Sequence, residues 1–171
     1  MGRYRIIPER SYVWVDARSS VHPFHAKTNG LEGFVDLEFT PEGVIDVAST
    51  TSGQLSLAVN RLSAGNPVED RELQRRIEAN RYPMIEGVLG QIVPSGGEEG
   101  YQVTGDITFR GVTRRYVDQM SVAGLDADTV QLAGKSRFDI RDFGMEPPRV
   151  LMFRMEPEVE VRVEIVAALE V

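Results

Sequence analysis

Few residues in this chain are of a type and spacing that could do chemistry. His22-Pro23-Phe24-His25 holds both histidines of the sequence. Two imidazoles this close can share a metal, with Asp16 or Glu32 offering oxygen, but no further His and no Cys exists to complete a zinc site. Ser11, Ser19 and Ser20 are candidate nucleophiles with His22 or His25 as base and Asp16 as orienter. Nothing around them forms a strained nucleophile elbow, and serines beside strands are ordinarily turn residues. The carboxylates, as in Glu158–Glu164, fall on one parity of alternating runs, which describes a wet sheet face better than paired acid–base groups. Gly105 and Gly111 do not form a phosphate cradle, because no helix follows on which a pyrophosphate could sit. No catalytic residue, metal or cofactor is therefore expected.

The apolar residues offer a different kind of site. Phe34, Phe39, Phe109, Phe138, Phe143, Phe153, Met120 and Met152 are bulky enough either to fill a small barrel or to line a cavity for an elongated ligand. What positions them is period-two alternation, which sends successive side chains to opposite faces of a strand. Tyr101, Val103, Ile107 and Phe109 alternate with polar neighbours, as do Val159, Val161, Val163 and Ile165. The same holds for Val35, Leu37 and Phe39, for Leu55, Leu57 and Val59, and for Val130, Leu132 and Phe138. Further strands are expected at Tyr12–Ala17, Ile85–Val93 and Arg114–Ala123. One buried and one wet face implies antiparallel sheet. Short connections at Thr40-Pro41-Glu42-Gly43, Pro94-Ser95-Gly96-Gly97 and Leu125–Asp128 are hairpin-compatible, and Gly111 reads as a turn residue. Such a meander predicts a sandwich or an up-and-down barrel, and a barrel also removes exposed edges.

One segment breaks the rhythm. Residues 67–80 are rich in helix formers and predict one amphipathic α-helix over about residues 68–80. Val68, Leu73 and Ile77 share its apolar stripe, Asp70 serves as N-cap or first-turn acid, and Tyr82-Pro83 ends it. The helix is expected to close or buttress one end of the barrel. No repeat or linker divides residues 1–171, so one domain is expected.

Bulk properties narrow the function. With 171 residues the chain can bury a sizeable core, and without cysteine it has no disulfide or thiolate site. Its 19 basic against 26 acidic side chains give a formal charge of −7, which repels a phosphate backbone, so no nucleic-acid partner is expected. No apolar stretch approaches the roughly 20 residues of a membrane span. The N-terminus has no apolar signal region, and Ile6 stands where a myristoylation motif needs Ser or Thr. A cytoplasmic location is expected, or a periplasmic or secreted one had a signal been trimmed.

The run Val103–Arg115, VTGDITFRGVTRR, resembles the most distinctive hairpin of the YceI-like family of polyisoprenoid-binding, lipocalin-like proteins. Ser11 with Val13 and then Gly33-Phe34 resemble that family's opening strands. Asp70-Arg71-Glu72-Leu73 followed by Tyr82-Pro83 is similar to its helix. Phe138–Gly144 resembles its strand leading to an aspartate–phenylalanine turn. The resemblance implies an all-β, eight-stranded antiparallel lipocalin-like barrel with one inserted helix. It further implies a tunnel for a polyisoprenoid, isoprenoid quinone, fatty amide or other long amphiphile, no shared catalytic residues, and a plausible homodimer. Many members are periplasmic behind a signal peptide, which this chain does not show, and Pro23 interrupts a strand the family keeps smooth.

The expected tunnel lining is Trp14, Phe39, Leu55, Leu57, Ile107, Phe109, Met120 and Phe138, with His25, Arg110 and Arg114 meeting a head group. The alternatives are a filled barrel acting as a structural or interaction module, and an enzyme acting on an isoprenoid with His22 or His25 as base.

Overall fold

In the computed structural model the described residues are 2–19, 23–49, 51–95, 100–147, 149–150 and 153–171. Ser20, His22, Gly96, Gly97 and Met152 lie outside them, as do the side chains of Ser19 and Phe153. The strands are β1 (Gly2–Ile6), β2 (Tyr12–Ser19), β3 (Pro23–Asn29), β4 (Glu32–Leu37), β5 (Ser52–Ala58), β6 (Met84–Pro94), β7 (Gly100–Phe109), β8 (Val112–Gly124), β9 (Thr129–Asp139), β10 (Arg149–Val150) and β11 (Phe153–Leu169). Among the described residues the single α-helix, α1 (Pro67–Ile77), lies between β5 and β6.

The sheet runs β1-β4-β5-β6-β7-β8-β9-β11 and closes by pairing β1 with β11, giving an eight-stranded antiparallel barrel. Closure pairs β1 with β11 where an open sheet would leave an exposed edge. β11 serves two partners along one side: Met155–Glu164 pair with β2, and Ala167–Leu169 pair with β1. β1 and β2 thus form one broken strand, interrupted by a 3-10 turn at Pro8–Arg10. β3 and β4 break at the same level, where Gly30 (φ 92°) donates to the Pro8 carbonyl at 3.0 Å. The β2–β3 hairpin continues along β11 beyond this corner, and its inward residues line the same interior.

Ser11 mends the discontinuity. Its hydroxyl accepts from Val166 N at 3.0 Å and donates to Val166 O at 3.3 Å, in the stretch of β11 between its two partners. The side chain is 0% exposed, so the candidate nucleophile is a substitute for missing ladder bonds. Ser11→Ala would leave the Val166 N–H unpaired in the core and is expected to cost about 2 kcal/mol, lowering Tm by about 5 °C in a thermal melt. An unchanged Tm would refute this role.

The helix begins where Asn66 caps it, accepting from Val68 N at 2.9 Å, with Pro67 in the first turn. Asp70 is a first-turn acid and not the cap; its carboxylate binds Ser63 Oγ at 2.7 Å and Ala64 N at 2.8 Å. The helix ends at Ile77, before the expected Tyr82-Pro83, because Glu78 turns left-handed (φ 58°) and donates its N–H to the carbonyls of Arg75 and Gln74. Leu73 and Ile77 face the barrel, but Val68 is 60% exposed and is no part of the buried stripe. Ile77 packs with Val59 and Met145, so α1 closes one end of the barrel. The other end is capped by the β4–β5 connection, where Tyr101 Oη accepts from Ile45 N at 2.9 Å.

On the outer wall, Arg3 of β1 grips Asp36 of β4 through two bonds of 2.8 and 2.9 Å, and Ser52 of β5 adds a third at 2.7 Å. The Arg3 guanidinium holds the Asp36 carboxyl below its usual range. A folded-state pKa below the unfolded one contributes stability above the ordinary carboxylate range that fades as pH falls through it. Asp36→Asn should therefore narrow the gap between urea midpoints at pH 6 and pH 3; an unchanged gap would refute the linkage.

Candidate functional site

The barrel encloses a cavity of about 370 Å³, within the size range of small-molecule sites. Its wall is almost wholly apolar. Val13, Val15 and Ala17 of β2, Leu55 and Leu57 of β5, Ile107 and Phe109 of β7, and Val159, Val161, Val163 and Ile165 of β11 point into it, while Leu73 and Ile77 of α1 cover one end. The alternation of each strand is the cause: the apolar parity found the interior and the polar parity found solvent.

Gly53, Gly87, Gly105 and Gly134 border the cavity at points where the neighbouring strand comes close. A Cβ at Gly87 would lie 3.0 Å from Leu55 Cδ1 and 3.4 Å from Ile107 Cδ1.

Of the expected lining residues, Leu55, Leu57, Ile107, Phe109, Met120 and Phe138 border the cavity. Trp14 does not, which corrects its expected placement. Its neighbours Val13 and Val15 hold the inward parity, so Trp14 lies on the outer wall, stacked on Tyr12 at 5.7 Å. Lys27 and Arg162, its cross-strand neighbours in register, lie over its ring at 5.4 and 4.3 Å. Phe39 is also corrected: β4 ends at Leu37, and Phe39 packs edge-on against Tyr4 at 5.9 Å in the cap of the far end.

The three expected head-group contacts lie outside the cavity lining. His25 is on the outer face of β3, its side chain 66% exposed and its Nδ1 2.5 Å from Asp16 Oδ1. The Asp16–His25 pair weighed as orienter and base does meet there, but Ser11 is buried and committed to Val166. Arg110 occupies the β7–β8 turn, whose residues Arg110 and Gly111 both have positive φ (52° and 73°), as a two-residue type I′ hairpin requires. Its guanidinium donates to Glu78 at 2.7 Å and to the Phe143 carbonyl at 3.2 Å, tying the hairpin tip to the end of α1 and the 140–143 turn. Arg114 donates to the Asp142 carbonyl at 3.1 Å from the surface. Both are clamps between elements. Among the described residues no group of three or more His, Cys, Asp or Glu could hold a metal, and no helix is long and apolar enough to cross a membrane.

The sequence reading missed the polar interior. Tyr116 and Asp118 share the parity of Met120 on β8, and Ser136 shares that of Phe138 on β9. All three border the cavity. Burial is the largest influence on the Tyr116 phenol and pushes its pKa above the usual value, so it stays protonated. A carboxylate and two hydroxyls on the parity that also carries Met120, Val122, Leu132 and Phe138 were the available signal.

A closed eight-stranded barrel around an apolar cavity, with one helix across an end, defines a lipocalin-like architecture. The chain belongs to the YceI-like domain family, which matches residues 4–167. Its fold is similar to that of BcnA of Burkholderia cenocepacia, with 19% identity, 95% of this chain and 99% of that chain covered, and a TM-score of 0.79. It is also similar to a polyisoprenoid binding domain from Saccharophagus degradans implicated in plant cell wall breakdown, with 14% identity, 99% and 100% coverage, and a TM-score of 0.77. A YCEI protein of Campylobacter jejuni aligns over 84% of this chain and 83% of its own at 16% identity and a TM-score of 0.63. No curated protein matches by sequence.

Proposed function

We propose that the protein carries or sequesters a long-chain amphiphile, a polyisoprenoid, isoprenoid quinone or fatty amide, with its tail in the barrel. The observation that carries this reading is the apolar cavity of about 370 Å³ inside the barrel. Each buried methylene contributes about 0.8 kcal/mol, so a dozen would supply about 10 kcal/mol before the costs of association. That is ample for tight binding without any polar contact. The S. degradans domain, described as polyisoprenoid binding, supports the same ligand class. The cavity weighs against a filled barrel acting only as an interaction module, because native interiors otherwise pack closely. Native mass spectrometry of gently purified protein, followed by organic extraction, tests the reading. A stoichiometric long-chain amphiphile is expected; protein that is empty and takes up neither isoprenoid quinones nor fatty amides would overturn it.

A further inference from the structure

The barrel wall parts between β8 and β9. Their ladder covers only Met120–Gly124 against Val130–Gly134, although β8 stays paired with β7 from Val112 to Ser121 and β9 with β11 along its whole length. Below Met120 and Gly134 the two strands therefore pair outward, each with its other neighbour. Continuing the register two positions places Asp118 beside Ser136. Two positions further, the Tyr116 and Phe138 rings meet edge-to-face at 4.6 Å and seal the lower end. Between these limits Asp118, Gln119, Lys135 and Ser136 all border the cavity, although neighbours along a strand point to opposite faces. Both parities reach the same space because the strands have separated there and left a slot.

The slot holds the few polar groups of an otherwise apolar wall, and two of them are unsatisfied. Ser136 Oγ and Tyr116 Oη are buried and make no hydrogen bond, a state that native proteins rarely leave uncompensated. Among the described residues Asp118 makes no hydrogen bond or ion pair, while Lys135 is occupied by Glu160 at 3.3 Å on the outer side. Two hydroxyls and a carboxylate can accept several hydrogen bonds, and the carboxylate repels a second anion in a low-dielectric cavity.

We propose that this slot is the head-group subsite, selecting an amphiphile whose polar end donates hydrogen bonds, an alcohol or an amine, over one ending in carboxylate or phosphate. The proposal rests on the carrier reading and gives it a direction: the tail lies along the barrel interior and the polar end rests between β8 and β9. Ser136 and Tyr116 hold the group, and Asp118 sets its charge preference.

The test compares dodecan-1-ol, dodecylamine and dodecanoate at pH 8, below their aggregation concentrations, by displacement of a fluorescent fatty probe. The three share one tail and differ only in the head. The alcohol and the amine are expected to bind at least about tenfold more tightly than dodecanoate. Asp118→Asn should reduce that preference to within about threefold, and Ser136→Ala should weaken the alcohol by about threefold or more. Equal affinity for all three heads, or variants that fold and leave the ranking unchanged, would overturn the subsite while leaving the carrier reading intact. Failure of all three to bind would overturn both. The ranking measured on the unaltered protein decides even where a variant fails to fold.

Discussion

Ile107→Trp is expected to weaken binding of a long-chain amphiphile by roughly 100-fold while leaving the barrel folded. Ile107 sits two residues before the end of β7 with its side chain in the cavity, opposite Gly87 in register. The wall behind it is closed by the β6–β7 ladder, so the extra bulk of an indole can extend only into the cavity of about 370 Å³. A tail that must share that space loses buried length. Four displaced methylenes at about 0.8 kcal/mol each remove about 3 kcal/mol, which is the stated factor. In a packed core the same substitution would force neighbours off their rotamers at about 1–3 kcal/mol. Here the void receives the ring, so the change in stability is expected to stay below about 1.5 kcal/mol. Probe displacement and a urea melt read the two quantities separately. Unchanged affinity would place the ligand elsewhere, and a large loss of stability would show that the interior holds no usable void.

The face assignments were legible where alternation was strong and long. Val159–Ile165 on β11 and Tyr101–Phe109 on β7 reach inward in the parity that their spacing predicts, because a period-two pattern with one apolar face has only one favourable register. Trp14 was misplaced because a large apolar ring outweighed three smaller apolar neighbours of the other parity. Arg162 and Lys27 give its ring a partner on the wet side, and an indole flanked by cations needs no burial. Alternation did not mark β3, for the opposite reason: its inward residues Phe24, Ala26 and Thr28 are mostly small, so their burial left little apolar signal. The parting of β8 from β9 has no sequence signature, since it depends on β9 pairing with β11 while β8 follows β7. For that reason Tyr116, Asp118 and Ser136 could be placed on a face from sequence but not at an opening. Arg110 likewise stands in a recognisable turn, and only the fold reveals that Glu78 and Phe143 wait beneath it.

Gly33→Ala is expected to destabilise the barrel by at least about 3 kcal/mol, with a fall in Tm of about 10 °C or more. Two effects combine at this residue. Its φ of 137° is a conformation that side chains rarely adopt. In addition, a Cβ there would collide with the Gln54 carbonyl oxygen and lie 2.9 Å from Leu55 Cα, both backbone atoms of the paired strand β5. A side-chain neighbour could rotate away, but backbone can yield only by breaking the β4–β5 ladder, one of the seams that close the ring. Gly43 separates the two effects. It too has a positive φ, 83°, in the exposed turn after Pro41, and a Cβ there would meet nothing within 4 Å. Gly43→Ala should therefore cost only the conformational part, about 1 kcal/mol. The difference between the two variants in parallel urea melts isolates the close approach of β4 to β5. Equal losses would mean that the strands stand further apart than this geometry requires. A much larger loss at Gly33 would show that the start of β4, just after the Gly30 corner, depends on backbone contact with β5 that no side chain can replace.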